Sequence, residues 1–116
     1  MGRSLYKPHP DKDEYVIFST IVDNVVSSVL TRHECLATGY DWLDEAAITR
    51  ADETGASWRD WREPMWDKDQ LLSNLHDELP GQAWVKHRDL ADFTRAQEVN
   101  DLDLLRKLVT DVQDDE

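Results

Sequence analysis

The sequence predicts an α+β fold, mostly helical with a short N-terminal β-sheet or hairpin, on three observations. A β-branched and aromatic run spans Glu14 to Val22, apolar residues recur at helical spacing along most of the chain after Thr31, and capping residues stand before several of those stripes. The chain has 116 residues, 40% of them apolar, which suits one domain with one modest core. The expected layout is an extended arm over 1–13, a globular domain over 14–112 and an acidic tail over 113–116.

The arm rests on Pro8, Pro10 and alternating charge without apolar periodicity. In the run that follows, Tyr15, Ile17, Ser19 and Ile21 oppose Val16, Phe18, Thr20 and Val22. Both faces are substantially apolar, so the strand should be covered on two sides. Asp23-Asn24 fits a turn, after which Val25 to Leu30 reads as a returning strand. Thr31 with Glu34 forms a capping box, in which hydroxyl and carboxylate satisfy unpaired amides, and a helix should open at Arg32. Leu36, Tyr40, Leu43, Ala47 and Ala51 continue one stripe, allowing a single kinked helix as far as Thr54. If Gly39 ends the first helix, Asp41 would cap a second, and Gly55 sits where a left-handed C-terminal residue is wanted.

Pro64 excludes a long helix from Ser57 to Trp66. Leu71, Leu72, Leu75 and Leu79 predict a helix capped by Asp67 or Asp69 and stopped at Pro80-Gly81. Gln82 to His87 reads as a short strand, and Asp89 as the start of a helix with Leu90, Phe93 and Ala96 inward. Asn100 should cap a last helix whose stripe is Leu102, Leu105, Leu108, Val109 and Val112.

Thirteen basic residues face twenty-five acidic ones, a net charge of -12 and a pI near 4.6. No run supplies the basic patch that displaces counterions from phosphates, so direct DNA or RNA binding is disfavoured. The imbalance is steepest from Asp41 to Pro80, with 4 basic and 11 acidic residues. Cys35 is the only cysteine, which rules out an intramolecular disulfide and a four-thiolate zinc site. The start lacks the apolar core of a signal peptide, and no apolar run approaches the roughly 20 residues that span a bilayer. The expectation is a cytoplasmic protein that contacts no membrane.

Nucleophiles, bases and phosphate loops leave recognisable spacings, and this chain carries neither a glycine-rich phosphate loop, nor a nucleophile elbow, nor histidines four apart. His33 and Cys35 are two apart and would point to different helix faces, which suits a surface histidine beside a buried thiol. The pairs Asp11 with Asp13, Asp67 with Asp69 and Asp101 with Asp103 suggest calcium only superficially. Leu71 and Leu72 stand where that loop needs an oxygen ligand and a glycine, so helix capping explains the pairs better. The expectation is a non-enzymatic protein with no cofactor and no metal; the alternative is an enzyme with a site assembled from dispersed carboxylates.

Two surfaces could carry recognition. Trp58, Trp61, Met65 and Trp66, interleaved with Arg59 and Arg62, are the residue types that dominate protein interfaces, although the same tryptophans could close a small core while Arg59 pairs with Glu63. Asp41, Asp44, Glu45, Asp52, Glu53, Asp60, Glu63 and Asp67 could form one acidic face, either merely solvated or acting as a nucleic-acid mimic in a partner's cationic groove. Either surface implies a protein partner and leaves a homodimer open.

The segments Tyr15-Val16-Ile17-Phe18-Ser19-Thr20-Ile21-Val22-Asp23 and Arg50-Ala51-Asp52-Glu53-Thr54-Gly55-Ala56-Ser57 resemble small acidic accessory proteins of phages of high-GC Gram-positive bacteria. The resemblance implies a role in binding a host bacterial protein and carries over no site residue.

Overall fold

Alternation along one short strand organises the molecule. The computed structural model describes residues 2–59, 62–73, 75 and 81–111. All four residues of strand β2, Val16–Ser19, are buried. Val16 and Phe18 enter one apolar cluster with Tyr6, Leu72, Val85 and Phe93, whereas Ile17 and the preceding Tyr15 enter another with Leu5, Cys35, Leu43 and Ile48. The two-sided covering expected from the sequence is thus present, and each face has its own core.

Strand β1, Arg3–Tyr6, pairs antiparallel with β2 in the register Leu5 to Ile17 and Tyr6 to Val16. Within the segment expected to be an extended arm, residues 3–6 are therefore a paired strand, and Leu5, Tyr6, Lys7 and Pro8 are buried. Its other edge is held too: the Ser57 amide donates to the Leu5 carbonyl at 2.9 Å and the Lys7 amide to the Gly55 carbonyl at 2.8 Å. Strand β3 is only Asn24–Val25; beyond it the expected return shrinks to a single bridge between Tyr15 and Leu30.

The capping box at Thr31 and Glu34 opens helix α1, Arg32–Ala37, with both reciprocal bonds made. The stripe beyond it does not continue as one kinked helix. Helix α2, Glu45–Thr54, starts afresh at Asp44, whose carboxylate accepts from the Ala47 amide, and ends at Gly55 in the left-handed conformation, φ 95°. Asp44 rather than Asp41 is the cap. Ala47, Ile48 and Ala51 turn inward on the Ile17 face of the first sheet.

The second sheet overturns the mostly helical expectation. Asp69–Ser73 is strand β4, Gln82–Lys86 is β5, and Val109–Asp111 is β6, in the order β4-β5-β6 with antiparallel pairing. The fold is α+β, with two three-stranded antiparallel sheets and four short α-helices among the described residues. Gln70 and Leu72 are buried while Asp69 is exposed and Leu71 and Ser73 are half-buried, a period of two, so Asp67 and Asp69 cap no helix here. Leu79 lies outside the described residues.

Helix α3, Leu90–Glu98, follows β5 through a short 3₁₀ turn at His87–Asp89, and helix α4 is Leu102–Leu108. Asp101, not Asn100, caps α4; Asn100 instead takes a positive φ of 56°. The last stripe does not run on as helix past Leu108, because β-branched Val109 and Thr110 pair with β5 as β6; Val112 and the expected tail over 113–116 lie outside the described residues. The two sheets meet where the Ser73 backbone amide donates to the Asp23 carbonyl at 2.7 Å and the Asn24 side-chain Nδ2 donates to the Ser73 carbonyl at 3.0 Å. No described helix is long and apolar enough to cross a membrane.

Candidate functional site

The clasp between β1 and residues 55–57 carries the chain onward so that Trp58 and Arg59 lie beside the start of β1. The Trp58 indole donates to the Ser4 hydroxyl at 2.8 Å, and its ring meets Tyr6 edge-on with centroids 5.9 Å apart. Arg50, on α2, donates through Nε to the Ser57 carbonyl at 2.8 Å, which fixes the base of its guanidinium. On the other side, Tyr40 and Trp42 stack at 6.1 Å with planes 9° apart, and the Arg3 guanidinium stands 6.0 Å from the Tyr40 ring. Together these elements enclose an open cleft of about 520 Å³, lined by Gly2, Arg3, Ser4, Ile21, Trp42, Arg50, Ser57, Trp58 and Arg59.

No acidic side chain is among the described lining residues, and among the described residues Arg3, Arg50 and Arg59 make no ion pair. The acidic chain makes this unusual: carboxylates outnumber cations almost two to one, and cations near a carboxylate are normally neutralised by it. Arg50 and Arg59 also border a second cavity of about 410 Å³ shared with Glu53, Thr54 and Arg62.

The residues singled out from sequence are therefore divided. Trp58 and Arg59 line the cleft, and Arg62 lines its neighbour. Met65 is buried in the larger core, and Trp66 donates its indole N–H to the Lys7 carbonyl at 3.1 Å, so both hold the fold. Trp61 and Asp60 lie outside the described residues. Arg59 has no pair with Glu63, which instead reaches Lys68 at 3.9 Å. Of the remaining acidic residues, Asp44 caps α2, Asp67 pairs with Arg88 at 3.4 Å, and Asp41, Glu45 and Glu53 are exposed. His33 is exposed and Cys35 buried, each on its own side of α1. Among the described residues no three His, Cys, Asp or Glu side chains converge as metal ligands would.

Asp52 is an internal hub rather than part of an acidic face. It accepts from Lys7 Nζ at 3.0 Å, from the Tyr15 hydroxyl and from Arg32 Nη1 at 2.8 Å. Burial pulls its pKa upward, but the Tyr15 and Lys7 hydrogen bonds and the charges of Lys7 and Arg32 outweigh it and hold the carboxyl below its ordinary range. The same arrangement raises the Tyr15 pKa, through burial first and the Asp52 bond second. Because Asp52 is 31% exposed, solvent screens part of this gain. Asp52→Asn should therefore cost about 1–2 kcal/mol, chiefly by stranding the buried Lys7 ammonium. Urea unfolding of the pair at neutral pH checks this, and an unchanged midpoint would contradict it.

Sequence reasoning found the Trp58-Arg59 part of the cleft and missed Arg3, Arg50 and Trp42. One signal was available: three of the four cations in the most acidic third are arginines, Arg50, Arg59 and Arg62. Neither a family model, nor a curated protein, nor a solved structure matches this chain.

Proposed function

We propose that this chain is a non-enzymatic protein that binds a protein partner through the arginine-lined cleft, the partner supplying an anionic group beside an apolar one. The observation that carries the reading is that Arg3, Arg50 and Arg59, unpaired with any described carboxylate, gather with Trp42 and Trp58 in one concavity of a chain with net charge -12. Arginine and tryptophan at the centre of a pocket are the usual energetic anchors of protein recognition. The likeness of residues 15–23 and 50–57 to phage accessory proteins points to a host bacterial protein as that partner.

The acidic-mimic reading is less well supported, since Asp52, Glu63 and Asp67 are already paired with cations of the same chain. Arg59 is exposed and outside the core, so reversing its charge should leave folding intact. Arg59→Glu should weaken partner capture by about 2 kcal/mol, roughly thirtyfold in Kd, with an unchanged melting temperature. Capture from host lysate by immobilised wild-type and variant chains, quantified together by mass spectrometry, provides the test. Equal retention by the two would sink the proposal.

A further inference from the structure

The geometry points to a more specific occupant: we propose that the cleft takes a phosphomonoester carried on a planar aromatic body. This inference rests on the cleft being the recognition site. Charge decides the headgroup. A lone carboxylate could neutralise only one of the three arginines, whereas a phosphomonoester brings a charge of about -1.5 to -2 and three acceptor oxygens at neutral pH. Guanidinium forks match those oxygens in pairs, and Arg50 is already oriented by the Ser57 carbonyl at 2.8 Å.

Charge also limits the ligand to a single phosphate. Beyond the cleft and the adjoining Arg62 the chain is strongly acidic, so an extended polyphosphate backbone would meet repulsion on leaving the arginines, while a lone group is screened from carboxylates more than about 8 Å away at physiological salt. The walls decide the body. Trp42 and Trp58 both line the cleft and are half-buried, and aromatic side chains stack on planar rings. A volume of about 520 Å³ suits an aryl or heteroaryl phosphate and not an isolated anion. Two sources offer this chemistry, a phosphotyrosyl side chain of a partner or a free mononucleotide.

Calorimetric titration of the full chain, followed in parallel by tryptophan fluorescence, tests the inference with phenyl phosphate, benzoate and inorganic phosphate. Phenyl phosphate should bind saturably and about tenfold or more tighter than the other two. Arg50→Gln and Arg59→Gln should each weaken it about tenfold, and Arg106→Gln, exposed on α4, should not. Arg59→Gln guards against a folding defect in Arg50→Gln, since the Arg59 side chain makes no described hydrogen bond or ion pair and its one described bond, from Arg62 Nη1 at 2.7 Å, goes to the backbone carbonyl. Absence of saturable binding, benzoate binding as tightly, or an unaffected Arg59→Gln would each overturn the assignment.

A phosphotyrosine pentapeptide and AMP separate the sources. Tighter binding of the peptide supports both the inference and a protein partner; tighter binding of AMP supports the inference while removing the protein partner. Loss of partner capture in Arg59→Glu without any response to phenyl phosphate overturns the inference alone.

Discussion

His87→Ala is expected to lower stability by about 3–4 kcal/mol. The imidazole is completely buried and joins three parts of the chain. Its Nε2 lies 2.9 Å from the Lys7 carbonyl and 3.1 Å from the Gly55 carbonyl, and its Nδ1 lies 3.2 Å from the Gln70 side-chain nitrogen. A neutral ring protonated on Nε2 satisfies all three, donating to both carbonyls and accepting from the Gln70 amide. Truncation removes that donor and opens a cavity beside Tyr6, whose ring centre is 5.3 Å away. Melting temperature should fall by about 10 °C or more, and thermal unfolding at neutral pH reads it.

The same residue makes stability fall in mild acid. Burial lowers the His87 pKa from 6.5 to about 4, against the opposing pull of its bonds to the Lys7 and Gly55 carbonyls. The unfolded chain therefore binds the proton first as pH drops. The contribution is complete above the unfolded value of 6.5 and is lost progressively down to about 4. One proton corresponds to at most about 1.4 kcal/mol per pH unit, or about 3 kcal/mol over the window. Urea midpoints between pH 7.5 and 4.5 should decline in the wild type and far less in His87→Gln. A wild-type midpoint flat across that interval would refute the assignment of a neutral, buried imidazole.

Gly55→Ala carries the second large effect, about 3 kcal/mol of destabilisation. Gly55 holds φ at 95°, where any other residue pays roughly 1–2 kcal/mol. An added Cβ would also stand 3.1 Å from His87 Nε2, 3.3 Å from Trp66 Nε1 and 3.4 Å from Met65 Cβ. These groups are held by their own hydrogen bonds or by the core and cannot withdraw freely. Gly39 supplies the comparison, since its φ of 78° is similarly left-handed but nothing lies within 4 Å of its added Cβ. Gly39→Ala should show the backbone cost alone, about 1 kcal/mol, and the gap between the two variants in equilibrium unfolding measures the crowding. Equal losses would contradict it.

What could be read from the sequence was local. The capping box at Thr31 and Glu34, the left-handed Gly55, the two-faced run from Tyr15 to Phe18 and the strand at Gln82–Lys86 each carry their signal within a few residues. The missed elements depend on distant partners. Arg3–Tyr6 offers only Leu5 and Tyr6 as apolar residues beside two prolines, and becomes a strand because β2 on one edge and residues 55–57 on the other bond to it. Leu71, Leu72 and Leu75 fit a helical stripe, but pairing with β5 imposes a period of two on the first part of that segment. The cleft follows the same division. Trp58 and Arg59 are neighbours and were legible as a pair, while Arg3, Trp42 and Arg50 reach them only through β1 and α2.

The sharing of Val16–Ser19 between two apolar clusters has an architectural outcome. Neither cluster owns a complete wall, so loss of either one leaves the strand wet on a face that has few polar atoms to offer water. Helices α1 and α2 on one side and the second sheet with α3 and α4 on the other therefore lean on a common partition, and the arginine cleft draws Arg3 and Ser4 from the strand paired to it.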